Sequence, residues 1–154
     1  MKKIKSLLLI AILSIVTFSC KTYSEDQKTS FAQSALSLAK KNGWKVTQSE
    51  SGLCVAQIKL GEGEETIVRE SIVTLSYKGS LLNGTVFDQT EPGKTMKANL
   101  KGLIGGFQEG LLGQKKGAKI RLIIPPNLGY GDQALEKIPA NSLLLFEIEV
   151  IDFI

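Results

Sequence analysis

The sequence predicts an α+β domain: an antiparallel β-sheet wrapped around one short helix, preceded by a short N-terminal helix. Three observations carry this. Phe31, Ala35, Leu38 and Ala39 recur at helical spacing near the start. From Gly52 onward the apolar period falls to two, broken by the turn signals Asn83-Gly84 and Pro92-Gly93. Helix and strand patterns are segregated along the chain rather than alternating, which argues against a parallel βαβ sheet.

Taken in order, Ser24-Glu25-Asp26-Gln27 has the form of a capping box. The helix that follows is about four turns long and stops at Asn42-Gly43, with Trp44 just beyond. Leu53 to Leu60 reads as a strand ended by Gly61-Glu62-Gly63-Glu64. Ile67 to Leu82 holds a second, with Val73, Leu75 and Tyr77 on one face. Asn83-Gly84 predicts a two-residue hairpin, since both residues tolerate positive φ. Thr85 to Gln89 returns, Pro92-Gly93 turns, and Met96 to Leu100 is a short strand. Gly105 to Leu112 is a short helix stopped by Gly113. Ala118 to Ile124 alternates and is closed by Pro125-Pro126. A long loop, Asn127 to Ser142, leads to the last strand, Leu143 to Phe153.

Residues 1–19 read as a processing leader. Lys2, Lys3 and Lys5 precede an apolar run from Leu7 to Phe18, short for a permanent membrane span, and then Ser19 and Cys20. The order resembles a bacterial lipobox, in which Cys20 becomes a lipidated N-terminus. The other reading is an ordinary signal peptide with Cys20 incidental. Residues 20–30 are then expected as a polar tether, 31–50 as the helix and linker, and 51–154 as the main domain. A lipidated chain would be exported and anchored in the bacterial cell envelope, periplasm-facing or at the outer membrane, without a spanning helix.

The chain carries 19 Lys and Arg against 15 Asp and Glu. The leader holds three of the lysines and no acid, so charge elsewhere nearly balances. No arginine stripe with interleaved aromatics appears, and no nucleic-acid partner is expected. Cys54, in the apolar run Leu53 to Ala56, is a small buried hydrophobe or, alternatively, a reactive thiol or a cysteine that pairs between chains.

Composition excludes much chemistry. The chain has no histidine, so neither a Ser-His-Asp triad nor a Cys/His zinc site can form. Gly61 to Glu64 is acidic and lacks the lysine of a phosphate loop. Asp88 has no evident carboxylate mate for glycosidase chemistry. No metal or other cofactor is expected.

Ser51-Gly52-Leu53, Gly61 to Glu64, Val73 to Gly79, Asn83 to Asp88, Ile104 to Gly110 and Leu128 to Gly131 stand in an order that resembles the FKBP-type peptidyl-prolyl cis-trans isomerases. The resemblance covers roughly Ser51 to Phe153 and implies an FKBP-like fold and isomerase activity on proline-containing polypeptides, with macrolides of the rapamycin type as further ligands. By that likeness, Tyr77, Phe87, Phe107 and Phe146 form the walls and floor of a proline pocket. Leu103, Ile104 and Ile138 close its sides, and Met96 or Ala98 stands where the family often places an aromatic. The Ile104 N–H and the Tyr130 hydroxyl look like donors to substrate carbonyls. Asp88 looks like a buried-edge carboxylate that orients Tyr77. Phe107 departs from the tryptophan usual at the pocket floor. The stretch from Asn42-Gly43 to Leu53 resembles the helix-to-domain junction of macrophage-infectivity-potentiator-type isomerases, whose long dimerising arm is mostly missing.

Taken singly, Tyr77, Phe107 and Phe146 read as core aromatics of a small β domain, and Asp88 as a turn cap. The ordered set reads as a pocket. The expected function is a prolyl isomerase that assists folding of exported proteins. The alternative is a low-activity chaperone or binding module of the envelope on the same fold.

Overall fold

The computed structural model describes residues 23–154. The leader and Cys20 lie outside the described residues. Helix α1 spans Glu25–Lys41. It starts where the capping box stands: Ser24 Oγ accepts from the Gln27 N–H, and Gln27 Oε1 accepts from the Ser24 N–H. Residues 25–30, expected as tether, are therefore the first turns of the helix. Glu25 and Asp26 in the first turn and Lys40 and Lys41 in the last suit the helix dipole. The helix ends in a Schellman turn, with the Gly43 N–H donating to Lys40 O and the Trp44 N–H to Ala39 O.

Seven strands follow: β1 (Thr47–Gln48), β2 (Cys54–Lys59), β3 (Ile72–Leu81), β4 (Val86–Gln89), β5 (Met96–Asn99), β6 (Lys119–Ile124) and β7 (Leu144–Phe153). Helix α2 (Gly105–Leu111) lies between β5 and β6. Every strand pairing is antiparallel, and the sheet order is β1-β2-β6-β7-β3-β4, with β5 also paired to β3. Strand β1 has no counterpart in the sequence reading, because two residues carry no readable period. Strand β3 begins at Ile72. Ile67, ahead of it, is still buried, but it sits in irregular chain held to the Gly113-Gln114 turn by two backbone hydrogen bonds.

The β3–β4 connection differs from the two-residue turn expected. The Gly84 N–H donates to Leu81 O, and the Leu81 N–H to Thr85 O. Gly84 has φ 88°, while Asn83 is not among the residues with positive φ. The loop is thus the three-residue form, a tight turn followed by a left-handed glycine that bulges the returning strand. Asn83 contributes its side chain instead, since Oδ1 accepts from the Thr85 N–H. At Pro92-Gly93 the expected turn is present, with the Lys94 N–H donating to Glu91 O and Gly93 at φ 75°.

Alternation along β3, β6 and β7 sends Val73, Leu75, Ile120, Leu122, Phe146, Ile148 and Val150 to the face covered by α2. The helix lies close on that face because Gly106 and Gly110 lack side chains. A Cβ at Gly106 would stand 2.5 Å from Ile124 Cγ2, and one at Gly110 would stand 2.6 Å from Leu122 Cδ2. On the opposite face, Ala35 and Ala39 of α1 bury Cys54 and Ile123 in a second, smaller cluster. Cys54 is fully buried, and desolvation pushes its thiol above the usual range, although Gln48 Nε2 donates to the sulfur. That environment disfavours the thiolate and leaves packing as its role. The Trp44 ring, just past α1, lies 4.1 Å from the Arg121 guanidinium.

Candidate active site

Between α2 and the inner face of the sheet opens a cavity of about 300 Å³, lined by Tyr77, Asp88, Met96, Gly102, Leu103, Ile104, Phe107, Tyr130 and Phe146. The aromatics form a connected set. Phe107 meets Phe146 edge-on at 4.7 Å and Tyr77 edge-on at 6.1 Å, and Tyr77 lies 6.1 Å from Phe146. Edge-to-face contact is the favoured geometry for aromatic pairs and fixes each ring against its neighbours.

Each wall has a local cause. Tyr77 and Phe146 come from adjacent central strands, with Tyr77 paired to Ile148 and Gly79 to Phe146. Phe107 is placed by α2 and buried against the sheet. The rim Leu103-Ile104 is held by Gln108, whose Nε2 donates to Leu103 O at 2.7 Å and Lys101 O at 3.2 Å. Asn99 Oδ1 accepts from the Lys101 N–H and shapes the same turn. Ser51 Oγ hydrogen-bonds both Glu109 oxygens, tying the entry to β2 onto α2.

The hydroxyls have different partners. The Tyr77 hydroxyl donates to Asp88 Oδ2 at 2.6 Å. Burial pushes the Tyr77 phenol well above its ordinary range, with the Asp88 hydrogen bond and charge adding to the effect. Tyr130 is also pushed up, first by burial and then by Asp88. Both phenols are therefore neutral donors at physiological pH. The one proton on Tyr77 is committed to Asp88. Among the described residues, neither the Tyr130 hydroxyl nor the Ile104 N–H has an acceptor in the protein. Two unclaimed donors thus stand at the edge of an apolar cavity.

Of the residues expected at the pocket, Tyr77, Asp88, Met96, Leu103, Ile104, Phe107, Tyr130 and Phe146 line this cavity; Phe87 and Ile138 do not. Phe87 packs edge-on against Phe146 at 5.4 Å, and both rings lie over Gly79. A Cβ there would come 2.6 Å from Phe146 and 2.7 Å from Phe87. Ile138 is turned into the core, where its backbone bridges Leu135. Asp88 is solvent-exposed rather than buried at an edge, because β4 is an outer strand that, among the described residues, pairs only with β3. Of Met96 and Ala98, Met96 occupies the wall position. Sequence reasoning passed over Gly102, which lines the mouth, and Gln108, which clamps the rim. No group of three or more metal-ligating side chains occurs among the described residues.

An antiparallel sheet wrapped on a short helix, with an aromatic cavity between them, defines the class of the prolyl isomerases of FKBP type. The family model described as FKBP-type peptidyl-prolyl cis-trans isomerase matches residues 63–151, and the chain belongs to that family. It is similar to the FKBP-type peptidyl-prolyl cis-trans isomerase FkpA of Buchnera aphidicola from Schizaphis graminum, 47% identical over 84% of this chain and 52% of that protein. The FkpA of Escherichia coli K12 is 40% identical over 74% of this chain and 42% of that protein. The crystal structure of FkpA from Escherichia coli superposes with a TM-score of 0.71 at 36% identity, over 83% of this chain and 59% of that one. The chain therefore spans about half the length of the curated relatives it matches.

Proposed function

We propose that this chain catalyses cis–trans isomerisation of X-Pro peptide bonds in polypeptides. The carrying observation is the aromatic cavity bordered by two unclaimed donors, Tyr130 Oη and the Ile104 N–H. Family membership supports the reading. The barrier to peptide rotation is about 18–20 kcal/mol and comes from amide resonance. The twisted transition state has lost that resonance and part of its dipole, so an apolar, water-poor cavity favours it over the planar ground state. Catalysis then needs differential binding and no nucleophile.

In this reading Phe107 and Phe146 receive the pyrrolidine ring, with Tyr77 and Met96 beside it. The Tyr130 hydroxyl and the Ile104 N–H hold flanking carbonyls. Asp88 fixes the Tyr77 ring by taking its hydrogen bond. Natural substrates are proline-containing chains that fold slowly because X-Pro bonds isomerise in tens to hundreds of seconds. Macrolides of the rapamycin type would compete for the same cavity. A protease-coupled proline-peptide assay tests the activity, and turnover should survive chelators. A folded protein that binds such peptides without accelerating their isomerisation would instead be a binding module.

The place of action is proposed from the leader alone. Residues 2–20 have the order of a lipoprotein signal. No helix among the described residues is long and apolar enough to cross a membrane. Mass spectrometry of membrane-extracted protein should find a lipid adduct on a chain beginning at Cys20. An unmodified product from the native host would overturn the anchor.

A further inference from the structure

Tyr23 lies outside the cavity and ahead of α1, yet its hydroxyl donates to Asn141 Oδ1 at 2.7 Å. Among the described residues, Asn141 is the one non-glycine with positive φ, at 58°. Asparagine tolerates that left-handed conformation better than most L residues. Its N–H donates to Gly131 O at 2.8 Å, and the Gly131 N–H donates to Pro126 O at 3.0 Å. A Cβ built on Gly131 would stand 3.7 Å from the Tyr23 hydroxyl. The hydroxyl therefore lies over the residue that follows Tyr130. The Tyr23 ring is braced in turn by Phe31 of α1, edge-on at 5.1 Å. Burial, then the charge of Asp132, pushes the Tyr23 phenol upward, so it keeps the proton it donates.

We propose that Tyr23 and Asn141 form a latch across the neck of the loop 127–142 that positions the Tyr130 hydroxyl at the cavity mouth. Tyr23 is thus a positioning residue for the isomerisation proposed above, and the inference rests on that reading. Tyr130 lies in irregular chain, and among the described residues no sheet ladder fixes it. The neck is closed by Asn141 to Gly131 from within and by Tyr23 from outside. Releasing the outer tie leaves Asn141 to hold a left-handed turn alone. The Tyr130 donor then samples more orientations, and loss of orientation lowers rate even when every catalytic group is present.

The same hydrogen bond would also help hold the start of α1 to the domain, so the test separates the two roles. Tyr23→Phe removes only the hydroxyl. Asn141→Gly removes the acceptor but suits the positive φ, and Asn141→Asp keeps an acceptor. Tyr23→Phe and Asn141→Gly should each lower kcat/KM roughly two- to tenfold, the effect of losing one net hydrogen bond. Asn141→Asp should stay near wild type. On a Tyr130→Phe background, neither change should lower kcat/KM further, because the effect passes through the hydroxyl already removed. Amide exchange at Gly131 and Asn141 should speed up in Tyr23→Phe, while exchange at Ile148 in β7 stays unchanged. Equal losses with Tyr130 intact and on the Tyr130→Phe background would overturn positioning through Tyr130. Unchanged exchange at Gly131 and Asn141 would overturn the latch itself, whatever the turnover. A wild type inactive on all proline peptides would overturn the isomerase reading and the positioning role, and the exchange measurement would still decide whether the latch exists.

Discussion

The Tyr77 hydroxyl donates to Asp88 Oδ2 across 2.6 Å, joining the half-buried wall of the cavity to its exposed rim. Tyr77 and Tyr130 both hold their protons above the ordinary phenol range. In alkali the folded chain thus binds more protons than the unfolded one. The associated stability is complete below about pH 10, the unfolded value, and is lost as pH rises through the raised folded values. Asp88→Asn removes the charge and should lower both titrations. Tyr77 should remain above the ordinary range, because burial is its first cause. Phenolate absorbance across an alkaline titration reads this directly. A Tyr77 that titrates identically in wild type and variant would mean the pair does not form in solution.

Tyr130 is 36% exposed and its hydroxyl has no partner among the described residues. Tyr130→Phe should therefore leave the denaturant midpoint nearly unchanged. If the hydroxyl holds a substrate carbonyl, catalytic efficiency should fall roughly two- to tenfold, matching about 0.5–1.5 kcal/mol for a net hydrogen bond. Full activity in a folded variant would remove Tyr130 from the site.

Phe146 touches three other rings and is 3% exposed. Phe146→Ala should cost about 3–5 kcal/mol of stability and abolish most turnover together. Denaturant melts with the peptide assay test this. A variant that loses activity with native stability would show that the ring serves substrate alone.

Gly106→Ala sets two effects against each other. Alanine in a helix gains about 1 kcal/mol over glycine. Its Cβ, however, would stand 2.5 Å from Ile124 Cγ2 in a packed core, and overpacking costs about 1–3 kcal/mol. The clash should win. The melt should show net destabilisation, and activity should fall as α2 lifts the Ile104 rim and Phe107. A stabilised variant would show that the β6 face yields.

The sequence is legible where period and punctuation act locally. The strands around Val73-Leu75-Tyr77 and Leu144 to Val150 follow from alternation, and the α1 ends follow from Ser24 to Gln27 and Asn42-Gly43. Residues 25–30 read as tether despite the capping box, because they carry few apolar residues. A helix start depends on satisfied N–H groups more than on hydrophobic spacing. The site residues are reached through resemblance, and the structure gathers most of them around one cavity. Phe87 and Ile138 escape that reading because packing on the core and facing a ligand demand the same apolar side chain. How Phe146 and Phe87 share the space over Gly79 depends on the β3–β7 register, a long-range fact with no local signature. Tyr23 and Asn141 are invisible for the same reason, being joined only by the folded chain.

Strand β7, last in sequence, lies between β6 and β3 in the middle of the sheet. Its ladder to β3 joins distant residues, such as Val73 with Phe153 and Leu81 with Leu144. The two halves of the sheet therefore have no common strand until Leu144 to Phe153 has been synthesised. Loop-closure entropy must be spent before these contacts repay it, which places such topologies among slower-folding domains, on millisecond-to-second scales. Refolding followed by stopped flow should fall in that range, and a chain ending before Leu144 should lose protection at the β3 amides that bond to β7. A chain of this topology therefore closes all at once: the two halves of the sheet become one domain only when β7 takes its place between them.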